Sequence, residues 1–212
     1  MIRVKVPQDT SDHSGIDHSG IDHSGIVVDD RGVARCSWAA STDDYRDYHD
    51  HEWGVAVRGE SALYERLTLE AFQSGLSWLT ILRKREGFRA AFAGFDADAV
   101  AAFGEADIQR LMDDTAIVRN RLKIRAAVGN ARAVVRLRGQ GGLDELFWSF
   151  APVSHRQPRT PGDVPATTAE SAELAKTLRR LGFVFVGPTT AYAAMQACGL
   201  VNDHLADCHR GC

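Results

Sequence analysis

The sequence is poor in cysteine, has no long apolar run, and lacks any sustained strand pattern. Four cysteines in 212 residues, Cys36, Cys198, Cys208 and Cys212, are too few to staple a chain of this length with disulfides; metal binding or plain packing is left as their use. No stretch of eighteen apolar residues occurs, which argues against a membrane span. MIRVKVPQDTSD has no apolar core of signal-peptide length, so the expected location is cytoplasmic. Alternation of apolar and polar residues is nowhere long enough for a strand; VFV at 184–186 is too short. The net charge is only −3, which argues against a general nucleic-acid coat protein, although a global sum hides local patches. One such patch exists: between Asp114 and Asp144 there is no acidic residue, while Arg119, Arg121, Lys123, Arg125, Arg132, Arg136 and Arg138 are all present. The alternative for that run is an ordinary solvated basic helix face.

With 44% hydrophobic and 25% charged residues, the chain can bury a sizeable core. Residues 1–34 differ from the rest. From Asp12 to Ile26 the unit DHSGI occurs three times, a period too short for a solenoid and too rich in turn formers for a core, so 1–34 is expected to be a flexible tail. His13, His18 and His23 share no helix face. Residues 35–212 are expected to form one helical domain. Apolar periodicity places helices on SALYERLTLEAFQSG and WLTILRKREGFRAAF, joined at Ser74-Gly75, then short helices from Asp96 and Glu105, and a long basic helix ending near Gly139. SHRQPRTPGDVP is the longest internal break, and Thr168 opens a helix running to Gly182. The fold class is all-α.

Three groups of residues carry chemistry. Cys36 and His49 lie near the start of the domain, and His204 and Cys208 have the spacing of one helix face. Two sulfurs and two imidazoles make a tetrahedral zinc set joining the first and last segments. Buried cysteines with satisfied histidines are the alternative, and Cys212 could replace Cys208; Cys198, in MQACGL, is expected in the core. LRRLGFVFVGPTTAYAAMQACGL reads as helix, glycine-marked hairpin (Gly182, Gly187), then a helix opening with Thr189 and Thr190. Backbone N–H groups there can grip a DNA phosphate. Glu70 falls in an otherwise apolar helix eight residues before Trp78, and YHDHEWG supplies Tyr48, Glu52 and Trp53. A desolvated carboxylate among rings suits a flat, cationic base, whereas a lone helical glutamate usually faces water.

RCSWAAS, DYHDHEWG, LEAFQSGLSWLTILRKREGFRAAF, IVRNRLKIRAAVGNARA, FWSF and LGFVFVGPTTAYAAMQACGLVNDH resemble, in order and spacing, the bacterial DNA-3-methyladenine glycosylase I family, over roughly residues 35–209. The resemblance implies a helix-hairpin-helix DNA glycosylase fold with a structural zinc ion on Cys36, His49, His204 and Cys208. It implies a base pocket of Tyr48, Glu70 and Trp78 with Trp53 close by, Glu70 being the catalytic residue, and DNA contacts at Gly182, Gly187, Thr189 and Thr190. Trp38 is assigned to the core. The implied activity is excision of 3-methyladenine from alkylated double-stranded DNA in base excision repair, leaving an abasic site. No lysine follows Lys176, which fits a monofunctional hydrolase without Schiff-base lyase chemistry. Asp203 lies near the aspartate that many relatives in the wider superfamily use to stabilise the sugar cation, but capping of the last helix is an equal use for it. A monomer without membrane contact is expected. Where the family commonly has glycine after the glutamate and a second glutamine further on, this chain reads Glu70-Ala71-Phe72-Gln73-Ser74-Gly75. The competing function is a zinc-stabilised module that binds damaged DNA without cutting it; Glu70 with Trp78 separates the two.

Overall fold

The computed structural model describes residues 25–211; the DHSGI repeats up to Ser24, with His13, His18 and His23, and also Cys212, lie outside the described residues. The described part opens with a hairpin of β1 (Ile26–Val28) and antiparallel β2 (Ala34–Cys36). Nine α-helices follow among the described residues: α1 Asp43–His51, α2 Glu60–Gln73, α3 Trp78–Ala91, α4 Ala97–Ala101, α5 Glu105–Asp113, α6 Arg121–Leu137, α7 Gly142–Trp148, α8 Ala169–Arg180 and α9 Pro188–Ala197. The helices on 60–73, 78–91 and 169–180 match the periodic segments of the sequence.

The hairpin departs from the expectation of a tail to residue 34. Its turn is made locally: Asp29 Oδ1 accepts from the N–H groups of Arg31 and Val33, and Gly32 takes φ +79°. The last residues of the third repeat, Gly25 and Ile26, belong to the described part. Ile26 is buried and packs with Cys36, Leu205 and Cys208. Each strand has only three residues, too few for alternation to register.

Helix starts have legible causes. Thr42 and Ser77 each accept a hydrogen bond from an N–H of the first turn of α1 and α3, and Asn120 accepts from Leu122 and Lys123 at the start of α6. Thr168 and Ser171 form a reciprocal cap on α8. Helix α2 is the centre of the molecule: every residue from Leu63 to Phe72 is buried, so that stretch has no solvent face, although it carries Glu65, Arg66 and Glu70. It packs against α3, α6, α7 and α9. Tyr64 and four phenylalanines, Phe72, Phe88, Phe92 and Phe95, fill the space beneath it with edge-on and stacked rings.

Most cations of the acid-free basic run have partners within the protein. Arg125 pairs with Glu105, Arg138 with Glu60 and Asp98, and Arg132 donates to the terminal carbonyls of Ala101 and Phe103. Lys123 is buried and donates to the carbonyls of Phe72 and Ser74 at the end of α2. The broad cationic face suggested by the sequence is therefore narrower. Arg136 remains beside the α8–α9 hairpin, its guanidinium 3.0 Å from where a Cβ on Gly182 would lie, and Arg179 and Arg180 end α8.

Candidate base pocket and metal centre

Glu70 sits in the last turn of α2, and its burial follows from the central place of that helix. It is 6% exposed. Burial pushes its carboxyl up to about 8, against the opposing charge of Arg66. The carboxyl borders a cavity of about 260 Å³ lined by Trp38, Tyr45, Tyr48, Trp53, Gln73 and Trp78, with α9 closing one side. Tyr48 comes from α1; Trp78 is the first residue of α3. Their rings are 5.4 Å apart and tilted by 46°. They touch one another, so a flat ligand meets their joint face and does not slide between them. Tyr45, which the sequence did not single out, accepts from the N–H of Leu79 and so ties α1 to the start of α3. Trp38 is half-buried on the cavity wall, not in the core, packed edge-on against Tyr45 and Trp53. Gln73, three residues beyond Glu70, and Gln196 were also missed; the i, i+3 spacing from Glu70 was the available signal for the first.

Cys36, His49, His204 and Cys208 converge as a buried cluster whose ligand atoms all lie within 4.8 Å of one another. His204 Nδ1 is 3.1 Å from His49 Nε2, and the Cys208 sulfur is 3.4 Å from His49 Nε2 and 3.8 Å from His204 Nδ1. A tetrahedron with metal–nitrogen bonds of about 2.0 Å and metal–sulfur bonds of about 2.3 Å has edges of about 3.3–3.8 Å. The donor set fits such an ion. The outer nitrogens are already oriented: His49 Nδ1 is 2.7 Å from Asp50 Oδ1 and His204 Nε2 is 3.0 Å from the carbonyl of Trp53. Arg35 holds Asp50 through both carboxylate oxygens. Backbone N–H groups of Leu205 and Arg210 point to the two sulfurs. A hydrogen bond from Cys36, with others from His204 and His49, holds the Cys208 thiol far below its ordinary range. A thiolate is the form that binds metal. Gly54, at φ +76°, passes so close that a Cβ would lie 3.3 Å from the His204 ring.

His204 and Cys208 do not share a helix. They lie in consecutive turns, and the expected last helix is absent among the described residues. Asp203 accordingly caps nothing. It is buried, and its Oδ2 accepts from the Tyr192 hydroxyl and the Gln196 amide, both on α9. Cys198 is fully buried in the core, as expected. The cavity and the metal cluster share a wall: Trp38 packs edge-on against His49 and Trp53 against His204.

Between α8 and α9 the chain turns through Gly182 at φ +96° and Phe185 at φ +57°. Asn130 of α6, itself buried, donates to the Val184 carbonyl and accepts from its N–H, fixing the hairpin from behind. Gly187 precedes α9 without a side-chain cap, and Pro188 takes the first helical position. The N–H groups of Thr189 and Thr190 belong to that open first turn.

Residues 38–211 match the Methyladenine glycosylase family. DNA-3-methyladenine glycosylase 1 of Escherichia coli is 45% identical over 181 residues, covering 83% of this chain and 96% of that protein. A crystal structure of 3-methyladenine DNA glycosylase I superposes with a TM-score of 0.79 at 43% identity, covering 82% of this chain and 98% of that one. A variant of 3-methyladenine DNA glycosylase I in complex with 3-methyladenine also gives 0.79, at 33% identity over 84% of this chain and 97% of that one.

Proposed function

The chain belongs to the methyladenine glycosylase family, and on that premise we propose how its residues carry out the excision of 3-methyladenine from alkylated DNA in base excision repair. Methylation at N3 gives adenine a positive charge while it is still attached to the sugar. The charge weakens the glycosidic bond, because the base leaves as a neutral molecule. Little acid catalysis is then required, and the enzyme's work is selection: the nucleotide is flipped out of the duplex and its base received in the cavity. The base stacks on the joint face of Tyr48 and Trp78, with Trp53 behind, and Glu70 accepts hydrogen bonds from its edge and complements its charge. Unmodified adenine lacks the charge and gains little from Glu70. Water completes the exchange at the sugar carbon: the carbon–nitrogen bond breaks with its electron pair going to the neutral base, a carbon–oxygen bond forms, the proton lost by the water passes to solvent, and an abasic site remains. No lysine follows Lys176, which supports hydrolysis without a Schiff-base step.

Gly182, Gly187, Thr189 and Thr190 are assigned to the DNA backbone. The open N–H groups at the start of α9 suit a phosphate oxygen, and Arg136 and Arg179 lie on neighbouring turns. The metal is assigned as zinc, held by Cys36, His49, His204 and Cys208, and its chemistry is structural: four protein ligands leave no open position. It joins the β1–β2 hairpin and α1 to the last turns of the chain. No helix among the described residues is long and apolar enough to cross a membrane, and a DNA substrate supports a cytoplasmic monomer working at single lesions.

The observation that carries this reading is the desolvated carboxyl of Glu70 beside the Tyr48–Trp78 face. A protein that merely binds DNA has no use for it. Incubating the purified, zinc-replete protein with methylated duplex DNA and separating the free bases by chromatography is expected to show 3-methyladenine. Release of no base by folded protein overturns the proposal.

A further inference from the structure

Arg66 lies one helical turn before Glu70 on α2, on the same face, and is 9% exposed. Its Nη2 donates to Glu52 Oε2 at 2.8 Å, but its Nη1 is buried with no hydrogen-bond partner. Glu52 is shared. Arg85 of α3 takes both oxygens of the same carboxylate, at 2.5 and 2.8 Å. Two guanidinium groups thus converge on one carboxylate, leaving one positive charge over in a poorly hydrated region. The nearest remaining acid on α2 that lacks a partner is Glu70, since Glu65 is held by Arg89. A buried guanidinium left half-paired is costly unless a further negative charge lies close by.

We propose that Arg66 is a specificity-tuning residue of the base pocket: its surplus charge favours the ionised form of the neighbouring Glu70 carboxyl and, by the same charge, weakens the pull of the pocket on a cationic base. The proposal rests on the role given to Glu70 above. The other groups around Glu70 are held by burial or by partners of their own. Burial and the Glu70 charge push the Tyr48 phenol well up, and burial pushes the Cys198 thiol up to about 12. Against the cost of burial, Arg85 and Arg66 hold Glu52 at about 2. Lys123 of α6 ends on backbone carbonyls of α2. Asp98 of α4 and Asp144 of α7 pair with Arg138 and Arg58, and α9 carries no charged side chain. Glu70 is the acid in this set without a hydrogen-bonded cation, and burial raises its carboxyl against the charge of Arg66.

Removing the surplus charge therefore makes Glu70 harder to ionise, yet leaves an ionised Glu70 more attractive to a cation. The pH profiles of the two proteins cross. Arg66→Met is expected to excise 3-methyladenine more slowly than wild type near pH 7 and as fast or faster above pH 9. Arg66→Lys, which keeps the charge, stays near the wild-type profile. In the ligand-free protein with ¹³C-labelled glutamate carboxyls, the Glu70 resonance, assigned by its loss in Glu70→Gln, reports the midpoint directly. Arg66→Met is expected to raise that midpoint by about one pH unit or more. Glu52→Gln, which leaves both guanidinium groups uncompensated, is expected to lower it. An unmoved midpoint in Arg66→Met overturns the proposal; if that variant does not fold, an unmoved midpoint in Glu52→Gln does so. The titration needs no DNA, so failure of excision by the wild type leaves it valid and counts against the role of Glu70 instead.

Discussion

At the scale of single residues, Glu70 sets function against stability. Its carboxyl is raised from 4.5 to about 8 in the folded chain. The folded state therefore holds a proton that the unfolded state has lost across that window, and stability falls as pH rises from about 4.5 to about 8. The shift corresponds to an energy on the order of 5 kcal/mol. Glu70→Gln removes the slope, so its stability relative to wild type, measured by urea unfolding, is expected to grow with pH through this range. A constant difference would mean that Glu70 is hydrated in the folded state. Loss of excision is expected alongside the gain in stability. Glu70 was legible in the sequence as an acid set among Leu67, Leu69, Ala71 and Phe72 with an aromatic residue eight positions on. Arg66 was not, because an arginine on a helix ordinarily reads as solvated; its burial depends on Glu52 and Arg85, 14 and 19 residues away along the chain, meeting it in space.

At the scale of elements, α2, α3, α6 and α8 were legible because apolar residues recur at helical spacing, and Thr168 marked the start of α8; α1 and the short α7 were not read from the sequence, since a helix of two turns holds too few apolar repeats. The stretch from His204 to Cys208 misled because four-residue spacing is shared by helices and by metal-binding turns. There the N–H groups of Leu205 and Arg210 go to sulfur atoms and not to helix carbonyls. The hairpin between α8 and α9 was visible through its glycines, but its anchor was not. Asn130, a lone amide on the apolar face of α6, holds both backbone groups of Val184. Asn130→Ala is expected to cost about 1–3 kcal/mol, since it leaves buried groups unpaired, and to weaken binding of undamaged duplex as well as of damaged DNA. If duplex affinity is unchanged in fluorescence anisotropy, the hairpin does not depend on this anchor.

At the scale of the whole molecule, the first and last segments meet at one buried cluster that also backs the base pocket. Cys208→Ser is expected to lose about one equivalent of zinc per chain and to lower the melting temperature; unchanged zinc content would show that Cys208 is not a ligand. Asp50→Asn, which leaves the four donor atoms in place and weakens the hold of Asp50 on the outer nitrogen of His49 and its ion pair with Arg35, is expected to weaken zinc binding by about 10- to 100-fold in competition with a chelator. The net charge of −3 conceals a second global feature. Most cations of the acid-free run have partners within the protein; Arg136 of that run lies at the hairpin, where Arg179 and Arg180 at the end of α8 join it. Three phosphate contacts predict a slope of about −3 for log affinity against log salt, whereas seven exposed cations would give about −6. The central claim, that Glu70 reads the charged base, is tested most directly by single-turnover excision of 3-methyladenine from methylated duplex, with wild type and Glu70→Gln both saturating the DNA. Release of the base by the wild type, with a loss of at least a hundredfold in the variant at equal DNA occupancy, is the predicted result; equal rates would contradict it.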